Sequence, residues 1–107
     1  MNRTISPGEL KLLLENRKTI LLLDVRRRVD YDTDGQKIPG AAWLDAERLT
    51  QWSTALPLDR EIVIYCARGG SVSNSVVDQL KAKGVKARFI EGGIEAWKQA
   101  GGETVPK

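Results

Sequence analysis

Apolar residues follow two periodicities along this chain. Leu10, Leu13 and Leu14 recur at helical spacing behind Ser6-Pro7-Gly8-Glu9. That opening joins an N-cap serine, a proline at the first helical position and a glutamate three residues after the cap, which predicts a helix through the three leucines. Thr19 to Val25 (TILLLDV) and Glu61 to Tyr65 (EIVIY) are short apolar runs without strict alternation, the pattern of strands covered on both faces of a parallel sheet. Ser71 to Lys83 returns to helical spacing through Val72, Val76, Val77 and Leu80 until Gly84 stops it. Between these lie a polar stretch with Asp30, Asp32, Asp34 and Gly35, and a turn at Ile38-Pro39-Gly40-Ala41 that leads into a short strand. Residues 46–54 read as a brief helix with Leu49 and Trp52 on one face. Lys86 to Ile90 predicts a further strand, Gly92-Gly93 a turn, and Ile94 to Gln99 a last helix carrying Trp97. Strands alternating with helices over short links predict an α/β fold, a parallel sheet with helices on both faces.

Composition narrows the function classes. The chain has 107 residues, 41% hydrophobic and 29% charged, which fits one globular domain over residues 1–107. Its opening residues show no apolar leader, and apolar runs such as Ile20 to Leu23 are far below the roughly 20 residues of a membrane span. The expectation is a cytoplasmic protein without a membrane partner. A net charge of +3 spread along the chain, clustered only at Arg26, Arg27 and Arg28, offers no basic stripe for nucleic acid. There is no histidine, so imidazole acid–base chemistry and His-based metal sites are excluded, and a lone cysteine cannot build a structural zinc site. Neither a metal nor a cofactor is expected.

The candidate chemistry sits at that cysteine. Cys66 directly follows a buried strand, at the end of the sheet where α/β proteins bind ligands. Ala67, Arg68, Gly69 and Gly70 form a tight loop that leads into a helix beginning near Ser71. Unpaired N–H groups of such a loop and of a first helical turn form a partly positive cup that binds anions and favours a thiolate. Gly69 and Gly70 let the backbone curl round a small ligand, and Arg68 adds charge. Asp24 and Arg26, at the end of the first long strand, read as supporting residues, a strand-end carboxylate and its basic partner. Trp43, Trp52 and Trp97 read as packing residues.

Four stretches, Asp24-Val25-Arg26, Ile38-Pro39-Gly40-Ala41, Cys66 to Ser71 (CARGGS) and Glu91-Gly92-Gly93 with Trp97 and Gly101, together resemble the single-domain rhodaneses, in order and spacing, over nearly the whole chain. The resemblance implies a parallel, about five-stranded α/β sheet, a catalytic Cys66 and an active loop, Ala67 to Ser71, whose N–H groups hold the transferred sulfur. It also implies a small anionic donor, thiosulfate or a low-molecular-weight persulfide, and cyanide, a thiol or a protein thiol as acceptor. Three positions depart from the family pattern. Lys37 stands where a histidine is common, and Arg68 where the loop residue varies among polar and basic types. Asp30 stands where two-domain thiosulfate enzymes carry an arginine, which leaves the donor open. Arg27 or Arg28 can supply that charge, although an exposed face is the simpler reading of both. A non-enzymatic binding or sensory module is the alternative, favoured where the loop cysteine is missing. Arsenate reduction or phosphatase chemistry is disfavoured, because those enzymes close a longer loop with an arginine and here Val72 follows Ser71.

Overall fold

The computed structural model describes residues 3–16 and 19–107. Met1, Asn2, Arg17 and Lys18, all within the opening read for a leader, lie outside the described residues. Five parallel strands form one sheet in the order β1-β6-β5-β2-β4, with β1 at Thr4–Ile5, β2 at Ile20–Asp24, β4 at Ala42–Trp43, β5 at Glu61–Tyr65 and β6 at Lys86–Ile90. Helices α1 (Pro7–Glu15), α2 (Arg28–Thr33), α3 (Leu49–Trp52), α4 (Ser71–Ala82) and α5 (Gly93–Gln99) complete the α/β fold, with a small antiparallel pair of β3 (Gln36–Lys37) and β7 (Val105–Pro106) beside it.

Both faces of the sheet are buried, and the side chains still divide by strand alternation. Ile62 and Ile64 of β5 join Leu23, Ala87 and Phe89 under α3 and α4, against Leu49, Val76, Val77 and Leu80. Val63 and Tyr65 point to the other face, with Leu22 and Ile90, against Leu10 of α1 and Ile94 and Trp97 of α5. The apolar runs therefore lack visible alternation because each face has its own core.

The predicted elements recur with small shifts. Ser6 accepts from the Glu9 N–H at 3.1 Å and the Glu9 carboxylate accepts from the Ser6 N–H at 3.1 Å, a capping box that starts α1. Val85 N–H bonds to the Leu80 carbonyl at 3.0 Å and closes α4 at Gly84. Residues 46–54 form not one helix but a 3-10 turn at Ala46–Arg48, the single turn of α3, and a second 3-10 turn at Ser53–Ala55. The stretch read only as polar contains α2, and β1, β3 and β7 were not expected: two-residue strands have no period to detect, and α2 buries no residue.

The C-terminal segment folds back over α5. Trp97 is buried and donates its Nε1–H to the Glu103 carbonyl at 2.8 Å, while Gly102 N–H donates to the Trp97 carbonyl at 2.8 Å. A β-carbon on Gly102 would fall inside the Trp97 indole. Gly102→Ala is expected to destabilise the protein by about 1–3 kcal/mol through overpacking, read by urea denaturation; an unchanged midpoint would show that the indole can move without cost.

Candidate active site

Cys66 continues the alternation of β5, so its thiol faces the α3–α4 side with Ile62 and Ile64. Cysteine Sγ accepts from the Gly69 N–H at 3.2 Å, and the residue is 5% exposed. The loop that curls over it is held from behind. Ile94 N–H, in the first turn of α5, donates to the Cys66 carbonyl at 3.0 Å, and Glu95 N–H to the Ala67 carbonyl at 3.2 Å. With those carbonyls turned toward α5, the loop presents the Gly69 N–H to the thiol. Gly70 caps α4 with no side-chain bond among the described residues, so the first-turn N–H groups of α4 stay available to an anion.

Two glycines make this interlock possible. Gly69 adopts φ +70°, and a β-carbon there would lie 2.7 Å from the Gly92 nitrogen. Gly93 adopts φ +63°, and a β-carbon there would lie 2.7 Å from the Ala67 carbonyl carbon. Loop and helix thus meet backbone to backbone, at positions that side chains neither fit nor favour.

Arg68 does not point at the thiol. Its Nε pairs with Glu95 at 3.0 Å on an exposed surface, so its charge is already matched outside the cup. Ser71 is exposed as the first residue of α4.

Asp24 and Arg26 are each 1% exposed and bound to one another. Arg26 Nε lies 3.0 Å from both Asp24 oxygens and Nη2 lies 2.7 Å from Oδ2, while the Arg26 N–H donates to Asp24 Oδ1 at 3.0 Å. Nη1 reaches Asp34 Oδ2 at 3.1 Å and Nη2 the Gln36 carbonyl at 3.1 Å. The rings of Tyr31 and Tyr65 flank the guanidinium, 5.3 and 5.7 Å from their centroids. Burial works against the cation, but the bonds and charge of Asp24 outweigh it and raise the Arg26 pKa. Burial, with the Asp24 carboxylate next, pushes the Tyr65 phenol above its ordinary range. All the polar reach of Arg26 is consumed by protein, the geometry of a supporting residue.

Asp34 was not singled out by the sequence, since no motif links it to Arg26. It joins Arg26 to Lys98 of α5, whose Nζ lies 2.6 Å from Oδ2, and accepts the Gln36 N–H at 3.0 Å. Burial opposes its charge, but the Lys98 bond, the Gln36 N–H and Arg26 together hold its pKa below the usual carboxylate range. Lys37 donates to the Ala41 carbonyl at 3.0 Å and so fastens the turn at residues 38–41. Asp30 is exposed and lines a cleft of about 280 Å³ beside Ala67 and Arg68, with no bond to Arg26.

A larger cleft, about 550 Å³, opens on the other side of the loop between α2 and α4, where Ser71 forms part of its wall. Ala46, Val72 and Val76 of its lining pack in the same apolar cluster as Cys66, which itself does not line the cleft. This is the cleft on the thiol's side of the sheet. Arg27 and Arg28 line it as exposed residues.

A parallel α/β sheet whose central strand ends in a cysteine, with a backbone cup leading straight into a helix, defines a class of loop-cysteine domains. The sequence model of the rhodanese-like domain family matches residues 6–100, and the chain belongs to that family. It is 36% identical over 98 residues to the probable adenylyltransferase/sulfurtransferase MoeZ of Mycobacterium tuberculosis, a match covering 88% of this chain and 24% of that protein. This chain therefore spans about a quarter of the length of MoeZ. It is 30% identical over 86 residues to the thiosulfate sulfurtransferase GlpE of Coxiella burnetii, covering 79% of this chain and 78% of GlpE. The crystal structure of a rhodanese-like domain protein from Staphylococcus aureus superposes with a TM-score of 0.82 at 31% identity over 99% of both chains. The expected α/β fold and family are thus both established, and relatives of the chain are named sulfurtransferases.

Two substitutions test this architecture. Gly93→Ala should unseat the loop from α5, costing about 1–3 kcal/mol and accelerating alkylation of Cys66 by iodoacetamide; an unaltered alkylation rate would mean that α5 does not hold the loop. Because the Asp34 pKa is lowered on folding, its contribution is complete above the unfolded value near 3.9 and is lost as pH falls through the lower folded value. Asp34→Asn should therefore lower the melting temperature at neutral pH and flatten its fall below about pH 4; an acid limb as steep as in the wild type would refute that role.

Proposed function

We propose that this protein is a sulfurtransferase that carries sulfane sulfur as a persulfide on Cys66. The observation that carries the reading is the Gly69 N–H bonded to Cys66 Sγ at 3.2 Å within a loop whose carbonyls are drawn away by α5. Such a cup stabilises sulfur anions at the place where they form. With thiosulfate, the Cys66 thiolate attacks the sulfane sulfur, the donor S–S bond breaks, and sulfite departs with the bonding pair. The persulfide anion then lies against the same N–H groups. Cyanide or a thiolate attacks the terminal sulfur, the Cys66 S–S bond breaks, and the thiolate returns. No proton must be moved by a protein base when thiolate and anionic donor meet, which suits a chain without histidine.

In this reading Ala67 to Ser71 bind substrate through their backbone, and Asp24 and Arg26 hold the strand end from which the loop departs. The donor is thiosulfate or a small persulfide, the acceptor cyanide, a low-molecular-weight thiol or a protein thiol. A persulfide chemistry on one free cysteine belongs in a reducing compartment such as the cytoplasm. We read residues 1–107 as one domain that carries the loop and its supports.

Intact mass spectrometry after incubation with thiosulfate, or separately with glutathione persulfide, should show one added sulfur atom that cyanide removes. Cys66→Ser should gain none. A wild type that stays unmodified with both donors would overturn the proposal.

A further inference from the structure

Cys66 is 5% exposed, and neither of the two clefts beside the active loop has it in its lining. Both clefts are nevertheless built from the same two segments. The large one takes Arg27, Arg28 and Val29 from the start of α2 and Ser71 from the end of the loop. The small one takes Asp30, Thr33 and Asp34 from the rest of the α2 segment and Ala67 and Arg68 from the start of the loop. The helix thus stands across the loop as the partition between the clefts. Without it they join over the stretch from Arg68 to Ser71, where the Gly69 N–H meets Cys66 Sγ at 3.2 Å.

This partition is weakly built. No side chain of α2 is buried, and no side-chain bond caps its start. A six-residue helix does not persist in water once released, and segments with little buried apolar surface open at a free energy well below that of global unfolding. Its tethers are polar or aromatic. Asp34 is anchored to the buried Arg26 at 3.1 Å and to Lys98 of α5 at 2.6 Å, the latter pair 38% and 25% exposed on the lysine and aspartate sides. Lys107 donates its Nζ–H to the Tyr31 carbonyl and stands 4.0 Å from the centre of the Tyr31 ring, which stacks on Trp43. The Lys107 N–H also bonds to the Gly35 carbonyl at 3.1 Å, so the segment after α5 straps α2 from outside.

We propose that α2 is a lid over Cys66, latched by Lys98 and Lys107, and that reagents reach the thiol when it opens by local melting. Both latches are charged groups near the surface, so ionic strength loosens the lid while the sheet core stays folded. The device governs access to the thiol and is independent of the group that Cys66 carries; failure of Cys66 to acquire sulfur would leave it standing.

The amides of Tyr31 and Asp34, bonded to the Arg27 and Asp30 carbonyls, report opening by hydrogen exchange, and iodoacetamide alkylation of Cys66 reports access. Lys98→Met and Lys107→Met should each speed both processes about threefold, and together about tenfold. Raising the salt to about 1 M NaCl should bring the wild type toward the double variant. Lys81→Gln/Lys83→Gln, with the same loss of charge at the far end of α4, should match the wild type. Three outcomes would overturn the proposal. In the first, exchange and alkylation in the double variant stay within about 1.5-fold of the wild type. In the second, the α2 amides exchange faster while alkylation is unchanged, so that α2 moves without covering the thiol. In the third, alkylation accelerates together with exchange of the Ile94 and Glu95 amides and not with that of α2, which would place the guard of the thiol at the α5 brace.

Discussion

A guanidinium taken out of water must find its partners in protein, and in this fold that demand falls on Arg26. Removing an ion from water costs several kcal/mol even in a relaxed protein interior, and here the cost is met by Asp24, Asp34, the Gln36 carbonyl and two aromatic rings. These partners come from the ends of the core strands β2 and β5, from α2 and from the start of β3, and α2 buries no residue of its own. The ion cluster therefore organises α2 and the turn into β3, which hydrophobic burial leaves undetermined. Trp43 extends it, stacking on Tyr31 at 5.0 Å and donating Nε1–H to the Arg26 carbonyl at 2.9 Å. Through Asp34 and Lys98 it reaches α5, the helix that braces the active loop. One buried cation thus connects the two sides of the site.

The loop obeys a second constraint, the two-residue period of β5. Tyr65 must face the α1–α5 core, where its hydroxyl accepts the Ile38 N–H at 3.4 Å, so Cys66 must face the opposite way. Its carbonyl and that of Ala67 are then free to meet the N-terminal N–H groups of α5, leaving the loop donors on the thiol side. The parallel register sets Asp24 beside Tyr65, which brings the ion cluster and the thiol loop to the same end of the sheet.

These relations explain what could be read from the chain. The long strands, α1, α4 and α5 announce themselves because each combines an apolar period with a start or stop signal, as at Ser6 and Gly84. The placement of the loop was equally legible: a strand end, a cysteine and paired glycines put Cys66 at the head of the turn into α4. The helix α2 was not, since it has no buried side chain and no side-chain cap, and its existence depends on tertiary contacts with Arg26 and Trp43. The partners of Arg26 were half legible. Asp24 stands two residues away at a strand end, whereas Asp34 is one of several aspartates in a polar stretch, and only the fold selects it. Arg68 shows the opposite failure, where a charge adjacent in sequence is directed by Glu95 away from the thiol.

The arginine run at residues 26–28 draws the two constraints together. Sequence presents three equal charges, but Arg27 takes an extended backbone conformation, φ −58° and ψ 149°, as α2 begins at the next residue. That change of direction sends Arg26 into the core, where its charge is spent on structure, and leaves Arg27 and Arg28 on the wall of the large cleft. The inner arginine fixes where α2 sits, and α2 fixes where the outer pair stands on the cleft wall. A substitution at Arg26 would therefore disturb the charge pattern of the cleft from inside the core, whereas the two outer positions are exposed and carry little of the fold. A single residue step along the chain thus separates a buried structural charge from two exposed ones.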